Sequence, residues 1–342
     1  MNEGTVTQKI SNSPVTLRIT ALWAFSEAFL GGILHGIKIP FAGLFLAFIA
    51  SVCITIIAAG THKKGEIIKA TLLVIVIKFI LSPHTPPMAY VAVMIQGLAG
   101  ELFFLGRRTI KLSAFFLTLF SLVYSAFQHL LVLTILFGNS WWKATDIFLN
   151  KITQTFLPGT HQYSLYIIII YLSCYLIAGI LGGIMNIRIV QKVNAGEKAN
   201  SILQMAEQLP AQNIFLVKKK HHKKKTVLFF MGGLMLLLLI ISYLPFFNSS
   251  FSKNKVTEII LRAVIILLAW NYFITPLLRK WMQQWIEKYK ERKKGSLNQV
   301  ISLLPEVRSL LNISWQLSKH PKKLVHIKGF ITNSILLIVN HE

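Results

Sequence analysis

Residues 18–60 read RITALWAFSEAFLGGILHGIKIPFAGLFLAFIASVCITIIAAG and contain two long apolar runs, separated by a short break around Lys38 and Pro40. Each run is long enough to cross a bilayer as a helix, which takes about 20 apolar residues. The whole chain of 342 residues shares this character, with 54% hydrophobic residues, 14% charged residues and a mean hydropathy of +0.59. This composition excludes a soluble globular protein and predicts an all-α polytopic membrane protein.

Further apolar runs along the chain predict more membrane-crossing helices. Together the predicted helices lie at residues 18–37, 40–60, 66–82, 86–106, 111–138, 162–185, 226–247 and 256–278. Most Lys and Arg residues fall on one side of these helices, and the segments on the other side hold only Lys38, Lys143, Lys151, Lys253 and Lys255. Because basic residues concentrate in cytoplasmic segments, we expect an inner-membrane protein with both termini in the cytoplasm.

The apolar pattern divides the chain into four segments. We predict a six-helix substrate-binding membrane domain at 1–186, a basic cytoplasmic linker at 187–225, a transmembrane hairpin at 226–278 and a cytoplasmic amphipathic tail at 279–342. The run KKKHHKKK at 218–225 is expected to fix the orientation and to attract anionic lipid head groups, because basic clusters at the inner face interact with such lipids. No nucleic-acid partner is expected.

The signatures of common membrane enzymes are missing from the sequence. It contains no phosphate-binding loop, no G-x-S-x-G elbow, no H-E-x-x-H helix and no Cys-x-x-Cys pair, and Asp146 is its only aspartate. Cys53 and Cys174 lie in apolar runs, as core or lipid-facing cysteines do. We therefore expect neither enzymatic activity nor a cofactor.

Polar groups inside the predicted helices are candidates for a ligand site, because their burial in lipid is costly. Glu27, Gly31 and His35 follow one another at i, i+4 and i+8, which places a carboxylate and an imidazole on one helix face. Lys78 needs a counter-ion, for which both Glu27 and Glu101 qualify. The candidate substrate-binding residues are Glu27, His35, Lys38, Lys78, His84, Gln96 and His129. For Glu27 and His35, structural hydrogen bonds to neighbouring helices are the alternative.

The sequence leaves two further arrangements of these polar residues open. Glu101 has Arg107 and Arg108 as alternative partners near the predicted inner face. The three histidines among the candidate residues could converge at the predicted outer side and bind a transition metal. Because scattered histidines on separate helices more often hydrogen-bond, we expect no metal site.

Small residues give the first helix a face suited to close packing. Ala24 and Ala28 form an A-x-x-x-A pair and Gly32 and Gly36 a G-x-x-x-G pair, spacings that let helix backbones approach closely. This first helix leads through a short outer loop into the run Pro40-Phe41-Ala42-Gly43.

With its six helices, both ends inside, its A-x-x-x-A pair and this outer loop, the segment 1–186 resembles the S component of energy-coupling-factor (ECF) importers. The S component is the membrane subunit that binds a vitamin or micronutrient. The resemblance implies capture of a small nutrient from the outer side, with the outer loop as a gate, and uptake driven by partner ATPase subunits. It also implies that Ala21, Ala24 and Ala28 dock onto a second membrane subunit, the T component.

The tail at 279–342 is faintly similar to the coupling helices of a T component, which grip the ATPases. The family's Ala-Arg-Gly signature is missing, and only Arg308 could stand in for its arginine. An amphipathic tail lying on the membrane surface is the alternative.

Two other functions are compatible with the sequence. A membrane scaffold or assembly factor would recruit partners through the basic cytoplasmic segments and use its buried polar groups only to hold helices together. A proton-coupled secondary transporter would use Glu27, Lys78 or Glu101 as a relay.

Overall fold

In the part of the chain that the structure describes, every secondary-structure element is a helix. The computed structural model describes residues 13–36, 41–61, 63–82, 85–105, 109–153, 159, 161–195, 275–319, 321 and 323–340. The elements are α1 (Ser13–Phe25), a π-helical segment (Ser26–Leu30), α2 (Gly31–Gly36), α3 (Ala42–Gly60), α4 (Glu66–Leu81), α5 (Pro87–Phe103), α6 (Ile110–Phe137), α7 (Asn139–Thr153), α8 (Tyr163–Ala195), α9 (Thr275–Leu317) and α10 (Lys323–Asn340).

Four of these described helices are long and apolar enough to cross a membrane. They are Pro14–Leu34, Ala42–Gly60, Ile110–Ile135 and Tyr163–Val193. Helix α4 has 16 residues, a length of about 24 Å against the roughly 30 Å of a hydrocarbon core. The structure thus confirms, for the residues it describes, an all-helical fold with candidate membrane spans. The predicted hairpin at 226–278 lies outside the described residues up to residue 274.

The described residues fall into two compact units. Those within Met1–Ala126, Ser173–Phe215 and Met282–Glu342 form unit 1, and those within Phe127–Leu172 and Leu216–Trp281 form unit 2. Helices α1 to α5 therefore belong to unit 1, and α7 belongs to unit 2.

An extended apolar cluster forms the core of unit 1. Helix α3 is apolar around its whole circumference, which suits a helix buried on most sides. Where α4 meets α5, a Cβ atom added at Gly97 would overlap the side chain of Thr71, so the absent side chain permits this close approach. Large, fully buried side chains of this core include Trp23, Ile19, Ile54, Ile77 and Leu117.

The C-terminal helices also contribute to unit 1. In α10, the run 335–339 (ILLIV) is buried in the same apolar cluster as α1. Arg18 Nε lies 3.6 Å from Glu306 Oε1 of α9, and Asn333 Nδ2 donates to Ser318 Oγ over 3.1 Å. Residues near both chain ends thus share one core.

Unit 2 contains the junction between α6 and α7 and the start of α8. Gly138 alone separates α6 from α7 and has φ of 71°, a left-handed conformation that glycine adopts without strain. The two helices therefore meet at a tight turn.

Candidate functional site

A buried ion pair joins the first helical run to α4 in unit 1. Lys78 Nζ lies 2.6 Å from Glu27 Oε2, and the two side chains are only 3% and 4% exposed. Of the two counter-ions considered for Lys78, the structure thus gives Glu27. Burial of both charges requires such a contact, because an isolated charge in an apolar interior is far more costly.

The backbone that carries Glu27 departs from the regular α-helix. Gly31 N–H donates to Ser26 O, five residues earlier, so the turn at Ser26–Leu30 is wider than the α-helical turns on either side. Such π-helical turns often occur at functional sites. The shared face predicted for Glu27 and His35 assumes a regular helix, and the wider turn changes the direction of every residue after it.

Lys78 lies in the last turn of α4, at the end predicted to face outward. A cation there is favoured by the partial negative charge of the helix C-terminus. The Nζ atom also lies 5.8 Å from the centroid of the Tyr90 ring in α5, close enough for a cation–π contact. Tyr90 OH in turn donates to Ser82 O over 3.2 Å. The lysine is therefore held by the π-helical segment and by α5, as well as by the C-terminal end of its own helix.

Trp23 Nε1 of α1 and Gln96 Oε1 of α5 are two of several buried polar atoms of unit 1 that have no hydrogen-bond partner among the described residues, and Asn186 Oδ1 of α8 is another. Trp23 is fully buried and Gln96 is 4% exposed. A buried donor or acceptor without a partner is uncommon in proteins and is often satisfied by water or a ligand. Gln96 belongs to the predicted site. Trp23 does not, because an indole within an apolar run did not mark it as a candidate residue.

Glu101 has a different partner from those considered in the sequence. Its Oε1 accepts the backbone N–H of Gly65 over 2.6 Å, immediately before α4 begins. A carboxylate at this position also suits the positive end of the α4 dipole. Arg107 and Arg108 lie outside the described residues.

The remaining predicted ligand residues are His35, Lys38, His84 and His129. Lys38 and His84 lie outside the described residues, as does the side chain of His35, whose backbone belongs to α2. His129 belongs to unit 2, where its ring centroid is 6.1 Å from that of Tyr171. Within the described ranges, no group of three His, Cys, Asp or Glu residues is arranged to hold a metal ion.

The predicted docking residues of the first helix are buried inside the chain. Ala21 and Ala24 are fully buried and Ala28 is 8% exposed. Arg308 is partly buried in α9. In this arrangement the alanine face packs against other elements of unit 1.

A second group of buried polar residues, which the sequence did not predict, is joined by hydrogen bonds in unit 1. Asn186 Nδ2 in α8 donates to Thr55 Oγ1 of α3 over 3.0 Å and to Thr118 Oγ1 of α6 over 2.9 Å. The sixth predicted helix ends at residue 185, whereas α8 continues to Ala195 and contains this fully buried asparagine.

Two of the sets of polar groups buried in unit 1 thus differ in their chemistry. In the first set, Asn186 Nδ2 is hydrogen-bonded to two threonines, as in structural contacts between membrane helices. The region of Glu27 and Lys78 offers a carboxylate, an ammonium group and an aromatic ring, and these groups can also recognise a small polar solute. No family model, no curated protein and no solved structure matches this chain.

Proposed function

We propose that this chain is a membrane-embedded solute-binding protein, acting as the S-component-like subunit of an ECF-type nutrient importer. The observation that carries the proposal is the buried Glu27–Lys78 ion pair. A buried pair of charges is an inefficient way to stabilise an apolar core, because apolar side chains of similar size often stabilise the core as well or better. The pair therefore suits the binding of a solute whose charged groups take over the contacts that Glu27 and Lys78 make with each other.

The chemistry of the surroundings fits a small charged or zwitterionic nutrient. Glu27 would contact a cationic group, and Lys78 an anionic group, of a solute entering from the predicted outer side. Tyr90 would provide an aromatic surface beside them. Gln96 Oε1 and Trp23 Nε1, which are also buried in unit 1, are an acceptor and a donor without a hydrogen-bond partner among the described residues.

Uptake would need partners that supply energy, because the sequence has no phosphate-binding loop of its own. We propose ATPase subunits and a T component as these partners. Since Ala21 and Ala24 are fully buried, docking through this face requires neighbouring elements of unit 1 to move. Solute binding at Glu27 and Lys78, on the same helical run and on α4, could favour that movement.

The proposal is tested by purifying a tagged chain gently from its own membranes and identifying the co-purifying proteins and small molecules by mass spectrometry. We expect ATPase subunits and a vitamin-sized solute. A Glu27→Leu/Lys78→Met variant should lose the solute, whereas the control Glu66→Gln/Lys69→Gln should keep it. The control removes an exposed pair in α4, whose Lys69 Nζ lies 2.7 Å from Glu66 Oε1.

Two results would contradict the proposal. Recovery of an unrelated assembly, with neither ATPases nor a solute, would instead support a scaffold. The full burial of Ala24 favours that alternative, because the alanine face then only packs helices together. Retention of the same solute by the double variant would remove Glu27 and Lys78 from the binding site.

A proton-coupled transporter is the second candidate, favoured by the direct contact between two ionisable groups buried among the helices of unit 1. Liposomes containing only the purified chain separate the two mechanisms. Solute uptake driven by a pH gradient, without ATP or other proteins, would establish the secondary transporter. Uptake that requires ATPases and ATP would support the importer.

A further inference from the structure

We propose that α7 (Asn139–Thr153) lies in the interface between the membrane and water, with its exposed apolar face in the lipid. The inference concerns unit 2 alone and does not depend on the proposed function. It rests on the orientation of this amphipathic helix, whose polar face makes hydrogen bonds to the rest of the chain and whose apolar face is exposed.

Asp146 makes the first of the polar contacts. Its Oδ1 accepts the backbone N–H of Ser164 over 2.6 Å, and its Oδ2 accepts the hydroxyl of Ser164 over 2.8 Å. Ser164 is at the first turn of α8, where backbone N–H groups have no partner within the helix. The carboxylate is thus used as a cap rather than exposed to water.

Asn150 and Thr153 continue this face at i+4 and i+7 from Asp146. Asn150 exchanges two hydrogen bonds of 2.7 Å with the backbone of His161, and Thr153 Oγ1 lies 2.7 Å from Tyr163 OH. Each of these polar side chains therefore has a partner in or just before the first turn of α8.

The opposite face of α7 is apolar and exposed. Trp141, Phe148 and Ile152, at i, i+7 and i+11, are 39%, 51% and 56% exposed, and this spacing places them on one side of a helix. An exposed apolar stripe of aromatic and branched residues on a short helix is typical of helices that lie in the membrane surface.

Both ends of α7 are held at the ends of candidate membrane spans. At its start, Gly138 alone connects it to α6, and Trp142 Nε1 donates to Thr134 Oγ1 over 3.1 Å. Near its end, Asn150 is bound to His161, two residues before α8 begins. The spans in α6 and α8 therefore fix α7 at the boundary of the membrane.

Lipid is the occupant that these constraints favour. The stretch 165–170 (LYIIII) of the neighbouring α8 is itself largely exposed and apolar, as expected of a lipid-facing span. Trp141 and Trp142 are residues of the type enriched at membrane interfaces. Lys143 is exposed at a different angle on the helix, where it can reach the head groups.

Site-directed spin labelling of the full chain in phosphatidylcholine–phosphatidylglycerol vesicles tests this placement. In a Cys174→Ser background, nitroxides at Phe148→Cys and Ile152→Cys should show a ratio of oxygen to water-soluble nickel-complex accessibility several-fold above that at Lys143→Cys. Their depth should be about 5–10 Å, as for other interfacial helices. Cys53 is buried, and the background protein without a new cysteine controls for its labelling.

Two patterns would overturn the inference. High accessibility to the nickel complex at both positions would place the face in water. Immobile labels protected from both reagents would show that protein covers it. Using two positions guards against one label disrupting the helix, and the elution volume of each variant in detergent checks its folding.

Discussion

Lys78 Nζ and Glu27 Oε2 lie 2.6 Å apart in the interior of unit 1, although the residues are 51 positions apart in the sequence. The contact ties α4 to the π-helical segment. Because both side chains are almost completely buried, each charge depends on the other for its stabilisation.

Loss of one member of this pair should destabilise the protein strongly. Lys78→Met leaves the buried Glu27 carboxyl group without its partner, for which we expect a loss of about 3–5 kcal/mol in the free energy of unfolding. Glu27→Leu/Lys78→Met should recover most of this loss. Unfolding of the purified protein in mixed detergent micelles, followed by circular dichroism, measures these differences.

The exposed pair Glu66–Lys69 provides the matched control in the same helix. Lys69 is 54% exposed, so Lys69→Met should change the free energy of unfolding by at most about 1 kcal/mol. Equal effects of Lys78→Met and Lys69→Met would show that the buried contact does not carry the stability assigned to it.

Asn186 should contribute to stability through its bonds to Thr55 and Thr118. Replacing it with Ala removes both, and hydrogen bonds between membrane helices average about 0.6 kcal/mol each, so we expect a loss of roughly 1 kcal/mol. Asn340→Ala is the control, because Asn340 Nδ2 bonds only within its own helix, to Leu336 O. The same micelle unfolding measurement applies, and comparable losses in both variants would contradict an inter-helix role.

Gly97 should not tolerate a side chain. A methyl group there overlaps Thr71, so Gly97→Ala should cost about 1–3 kcal/mol through overpacking. At Gly32 an added Cβ meets nothing within 4 Å, and Gly32→Ala should instead be neutral or stabilising by up to about 1 kcal/mol. Thermal unfolding of the two variants in one detergent gives the comparison, and a destabilised Gly32→Ala with an unchanged Gly97→Ala would reverse it.

Much of the helical layout of α1 to α6 could be predicted, because long apolar runs dominate the sequence. The need of Lys78 for a counter-ion could also be predicted from its apolar surroundings. The choice of Glu27 over Glu101 depends on which helices pack together and on the π-helical turn, and neither is encoded in local periodicity.

The contacts of the polar residues in α7 and α8 could not be predicted from the sequence. Asn186 lay just beyond the predicted end of a helix, and only the continuation of α8 places it in the interior. In α7, the polar positions Asp146 and Asn150 would ordinarily be assigned to water. Their partners, at or just before the start of α8, lie more than ten residues away in the sequence. Helical periodicity alone would therefore assign the wrong face of α7 to the solvent.

Asp146 should hold the first turn of α8 in place. Asp146→Ala removes both contacts to Ser164, and loss of such a cap typically costs about 0.5–2 kcal/mol. We expect faster amide hydrogen exchange in the peptide that begins at Tyr163, measured by mass spectrometry in detergent. Asp146→Asn keeps an acceptor for the N–H group and should exchange at an intermediate rate, whereas the exposed Lys143→Ala on the same helix should match the wild type. If Asp146→Ala left this exchange unchanged, the carboxylate would not be stabilising the turn, and the attachment of α7 to α8 would have to depend on Asn150 and Thr153 alone.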